Sequence, residues 1–86
     1  MITIVKQEKI PKPRVSQWDL WTDGNKYICA KYQYGILTAD IADNKEKWED
    51  EDFITLTSRI IGDFYDHDMT LEELKEYTKD LFVWKC

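Results

Sequence analysis

The chain has 86 residues, 43% of them hydrophobic and 14% aromatic, with four Trp, five Tyr and three Phe. That is too apolar for a disordered tail and short enough for one domain (residues 1–86), with a radius of gyration of roughly 12 Å and a core that yields only marginal stability. Seventeen acidic against twelve basic residues give a net charge of −5, which excludes duplex DNA readout as a first reading, because a DNA reader meets phosphates with a basic face.

The charge is divided along the chain. Residues 1–33 carry a net +3 and residues 34–86 a net −8, so the two halves are oppositely charged. The N-terminus, MITIVKQEKIPKPR, has no long apolar run and no small-residue cleavage site, and nowhere is there a stretch long enough to cross a bilayer. The expected location is the cytoplasm. There, Cys29 and Cys86 are read as reduced thiols rather than as a disulfide.

In chain order, residues 1–15 read as an N-terminal strand and a basic arm. Ile2 to Val5 is a β-branched run suited to an edge strand. After it, Pro11 and Pro13 remove two backbone donors and hold Ile10 and Lys12 extended. Residues 16–42 read as a β-meander. Trp18 and Leu20 alternate against Asp19 and Trp21, Asp23-Gly24 supplies a turn, and Ile28, Ala30 and Tyr32 share a face against Tyr27, Cys29, Lys31 and Gln33. Tyr34-Gly35 makes a second turn, and Leu37, Ala39 and Ile41 mark a third strand.

From Asp43 to Asp52 the chain is densely charged, with Asp43, Glu46, Glu49, Asp50, Glu51 and Asp52 against Lys45 and Lys47. This many carboxylates must face water, and Trp48 stands alone among them. Residues 50–82 read as two helices. Phe53, Ile54, Leu56, Ile60, Ile61, Phe64 and Tyr65 fill one half of a helical wheel from Asp50 to Tyr65, with Asp50 as N-cap. A second helix opens at Thr70, where Thr70 and Glu73 form a capping box and Met69 and Leu74 a hydrophobic staple, and it runs to about Phe82. The expected fold is therefore α+β: a three-stranded antiparallel sheet, four-stranded if Ile2–Val5 joins it, followed by two helices packed on one face.

Nothing in the chain points to catalysis. His67 is the single histidine, Ser and Cys lack a patterned base, and three glycines form no phosphate loop. Asp63, Asp66, His67 and Asp68 have oxygen and nitrogen ligands for a divalent cation, but their spacing matches no defined metal loop. No metal and no cofactor are expected.

In size and charge alone, the chain is like the small inhibitors encoded by phages and mobile elements, and a phage-encoded protein would act in the host cytoplasm. The expected role is a non-catalytic inhibitor that binds a protein. Its acidic surface of Asp43, Glu46, Trp48, Glu49, Glu51, Asp52, Asp63 and Asp66 would occupy the basic, nucleic-acid-binding site of a partner enzyme, mimicking nucleic acid, with Trp48 as an aromatic anchor. The alternative is a small structural or assembly protein that oligomerises through the aromatic sheet face of Trp21 and Tyr27.

Overall fold

A computed structural model describes residues 1–86. Six strands form one curled, mixed sheet: β1 (Ile2–Ile10), β2 (Ser16–Thr22), β3 (Tyr27–Gln33), β4 (Ile36–Ala42), β5 (Ile54–Ile60) and β6 (Phe82–Trp84). Their order is β5-β4-β3-β2-β1-β6, antiparallel throughout except that β6 runs parallel to β1. Two short helices, α1 (Lys45–Glu49) and α2 (Leu71–Tyr77), complete it. The radius of gyration is 12.1 Å, and no helix is long and apolar enough to cross a membrane.

The expected three-stranded sheet under two helices is thus corrected, and the largest error is the helix over residues 50–65. Ile54, Thr55, Thr57 and Ile60 are β-branched; such side chains lose rotamer freedom in a helix and fit a pleated surface. The segment accordingly pairs with β4, from Ile36 opposite Ile60 to Ile41 opposite Ile54, with a bulge near Leu56. Its supposed core stripe faces out. Ile60 is 85% exposed and Ile54, Phe64 and Tyr65 are also exposed, while Leu56 and Ile61 alone of that stripe pack against the core.

The alternation of β2 and β3 is realised as an antiparallel hairpin, Trp18 opposite Ala30 and Leu20 opposite Ile28. On that face lie Ile4, Trp18, Leu20, Ile28, Ala30, Tyr32, Leu37 and Ala39, all buried. The chain after β5 crosses beneath them and adds Met69, Leu74 and Phe82. Each large apolar side chain buried there contributes about 1.5–3 kcal/mol.

α2 begins where its signals place it: the Thr70 hydroxyl accepts the Glu73 N–H, and Glu73 accepts the Thr70 N–H. It stops at Tyr77 rather than Phe82. Thr78 donates its hydroxyl back to the Leu74 carbonyl at 2.6 Å, a local bond that competes with helix continuation, and Phe82–Trp84 then pairs with β1. β1 itself is longer than Ile2–Val5 and is not an edge, because β6 covers its other side. Two of the arm's lysines belong to the sheet, Lys6 over the Trp21 ring at 4.7 Å and Lys9 over Trp18 at 5.4 Å.

Candidate functional site

The acidic segment is a small, firmly docked knob at the end of the sheet where β3 begins and β4 finishes. Asn44 caps α1 by accepting the Lys47 N–H at 2.9 Å, and Glu51 reverses the chain in a left-handed conformation, φ 62°. Asp50, expected as an N-cap, closes this helix instead. α1 lies on the sheet face opposite the core. There, Lys45 donates to Asp19 at 2.8 Å, Trp48 packs edge-on against Tyr27 with centroids 6.0 Å apart, and the indole N–H reaches Asp40 at 3.4 Å.

Beneath the knob is a buried polar cluster. The Asp19 side chain, 4% exposed, accepts the Tyr27 hydroxyl at 2.6 Å as well as Lys45. Both bonds satisfy a carboxylate that would be costly to bury alone. Burial and this donation to Asp19 raise the Tyr27 pKa far above its ordinary value. Burial also pushes the neighbouring Cys29 thiol up to about 11, which keeps it protonated and unreactive near neutrality. Both cysteines are free.

Asp43, Glu46, Glu49, Glu51 and Asp52 are all exposed at this end. The other two carboxylates of the expected surface are not. Asp63 and Asp66 lie in the connection after β5, beside the β3–β4 turn, so a seven-residue strand, roughly 20 Å, separates them from the knob. Asp66 is half-buried and accepts the Tyr32 hydroxyl at 2.6 Å. That donation, together with burial as the larger cause, pushes the Tyr32 pKa up to about 12. Asp63 accepts the Tyr65 N–H. No three acidic, His or Cys side chains gather as a metal site. Of the aromatic face read as an alternative surface, Tyr27 is buried beneath Trp48, and Trp21 is half-buried with Lys6 over its ring. Trp48 is likewise engaged within the chain.

At the opposite end lies a cleft of about 340 Å³ lined by Arg14, Gln33, Tyr34, Phe64, Tyr65 and His67. Sequence reasoning missed it because Phe64 and Tyr65 fit an apolar helical stripe. The signal that was available is glycine. Gly35 takes φ 72°, and a Cβ there would collide with the backbone of Gly62 and Asp63, so the two segments approach as only glycine allows. Comparison with protein-family models, curated proteins and solved structures finds no match.

Proposed function

We propose that this chain is a non-catalytic binding protein whose acidic knob occupies the basic, nucleic-acid-binding surface of a protein partner. The supporting observation is how the knob's cations are used. Lys45 turns inward to Asp19 and Lys26 is held by Asp43 at 2.8 Å, leaving Glu46, Glu49, Asp50 and Glu51 exposed with no ion pair. A rigid, locally negative protrusion steers a basic partner toward it and competes with phosphates for the same residues.

The mechanism is occlusion, with no bond made or broken. The contact is narrower than an eight-residue surface: Asp63 and Asp66 lie at the other end of the sheet, and Trp48 holds α1 in place instead of inserting into the partner. The test is capture of a partner from extract on the immobilised chain, in parallel with a Glu49→Lys, Glu51→Lys, Asp52→Lys variant. The proposal expects a nucleic-acid-binding protein that the parent retains, that salt releases, and that the folded variant fails to hold. A partner held equally by both would refute it.

A further inference from the structure

The cleft at the far end of the sheet has the features of a built site. Three backbone hydrogen bonds clamp its loop to the β3–β4 turn: Gly35 N–H to the Asp66 carbonyl at 2.8 Å, and the Ile61 and Gly62 N–H groups to the Gly35 carbonyl at 2.8 and 3.1 Å. Ser16 ties down the far side, donating to the His67 carbonyl at 2.8 Å and accepting the Met69 N–H at 3.0 Å. Two of the lining residues, Arg14 and Tyr34, are held in left-handed backbone conformation at φ 59° and 56°, which is uncommon for non-glycine residues and concentrates at ligand sites.

What these clamps hold in place is aromatic surface. Tyr34 and Phe64 stack with centroids 5.0 Å apart and 19° between planes, and Tyr65 stands edge-on to Phe64 at 5.6 Å. Yet Tyr34 is 54%, Phe64 67% and Tyr65 84% exposed. Three large rings left in water on a fixed loop mark a contact surface. Arg14, beside them, makes no ion pair, and no carboxylate lines the cleft. Arg14 is the one formal charge among the lining residues, while Asp63, Asp66 and Asp68 stand on the loop behind them.

We propose that the cleft binds a free mononucleotide, its base stacked on the open face of Tyr65 and its phosphate held by Arg14. Each feature narrows the ligand. An exposed aromatic face takes any planar base, and a guanidinium with no protein partner matches phosphate as a two-pronged donor. It also repels the quaternary ammonium groups that aromatic cages otherwise take. Gln33 offers an amide to a base edge. His67 is oriented by its ring contacts, Nδ1 at 3.2 Å from the Tyr65 carbonyl and Nε2 at 3.8 Å from the Asp68 carboxylate. The volume is at the lower end of small-molecule sites, about 300–1,000 Å³, and the protein's net charge opposes a long polyanion. This favours the free nucleotide over a strand. The site stands apart from the acidic knob, so either reading can fail alone.

The test is amide chemical-shift titration of the full chain with the four nucleoside monophosphates at millimolar concentration. Parallel titrations use the nucleosides, inorganic phosphate and a single-stranded hexanucleotide. The proposal expects saturable shifts at Arg14, Gln33, Tyr34 and residues 64–67 with at least one monophosphate. Tyr65→Ala, at a largely exposed ring, weakens that binding about tenfold or more, Tyr65→Phe retains it, and Arg14→Gln reduces it to the affinity of the nucleoside. No saturable shift with any monophosphate overturns the proposal. So does equal binding of nucleoside and nucleotide, and so does tighter binding of the hexanucleotide.

Discussion

Tyr27→Phe isolates the contribution of the cluster beneath the acidic knob. The ring is fully buried, so the substitution keeps its shape and removes only the hydroxyl that donates to Asp19 at 2.6 Å. A hydrogen bond to a charged group contributes about 1.5–3 kcal/mol, and near the melting point about 4–8 °C accompanies each kcal/mol in a domain of this size. The expected fall in Tm is therefore roughly 6–24 °C. Alkaline pH tests this cluster together with Tyr32, whose hydroxyl donates to Asp66 at the other end of the sheet. Cys29 and Tyr32 have pKa values raised to about 11 and about 12, and that of Tyr27 is raised further. The unfolded chain, with a thiol near its ordinary value of about 8.5 and phenols near about 10, releases these protons first. The native state then holds more protons, so stability is fully present below about pH 8.5 and falls as pH rises. Tyr27→Phe removes the tyrosine's share and makes that alkaline decline shallower. Chemical denaturation followed by circular dichroism from neutral pH upward measures both effects. A variant with the parent's stability and the parent's alkaline slope would refute the reasoning, showing that water serves Asp19 as well as Tyr27 does.

Two substitutions separate the sheet from the helical stripe: Leu74→Ala, in the core, should cost about 2–5 kcal/mol, while Ile60→Ala, on the exposed edge strand, should change stability by no more than about 0.5 kcal/mol in denaturant titrations. Thr70→Ala removes the cap of α2 and should cost about 0.5–2 kcal/mol by the same measurement. Gly35→Ala meets both a left-handed φ and the backbone of Gly62 and Asp63; it should destabilise by more than about 1 kcal/mol and displace the amide resonances of residues 61–67.

How far the fold could be read depended on whether one period dominated. Between Ser16 and Gln33, Trp18 and Leu20 on one strand and Ile28, Ala30 and Tyr32 on the other recur at every second residue, and the hairpin forms in that register. Between Phe53 and Tyr65, the same apolar residues satisfy a helical wheel and a strand. What decides is β-branching at four of the seven β5 positions, which the wheel ignores. The capping box at Thr70 was legible because it is a local device, complete within four residues. The parallel pairing of β6 with β1 joins residues about eighty positions apart, and no local pattern announces it. The same holds for function. The acidic segment is legible as a run, but that Trp48 covers Tyr27 follows only from the path of α1 over β3. The cleft is assembled from Arg14, Tyr34 and Phe64, which become neighbours only when three turns meet at one end of the sheet.

The central claim is that an acidic knob competes with nucleic acid for a basic surface, and the direct measurement is displacement. A captured partner, loaded with labelled oligonucleotide, is titrated with the chain over a range of salt concentrations. The account predicts that the chain releases the oligonucleotide in a single competitive transition, that its affinity falls as salt rises, and that the Glu49→Lys, Glu51→Lys, Asp52→Lys variant releases none. A ternary complex in which the chain and the oligonucleotide sit on the partner together, at an affinity indifferent to salt, would contradict it.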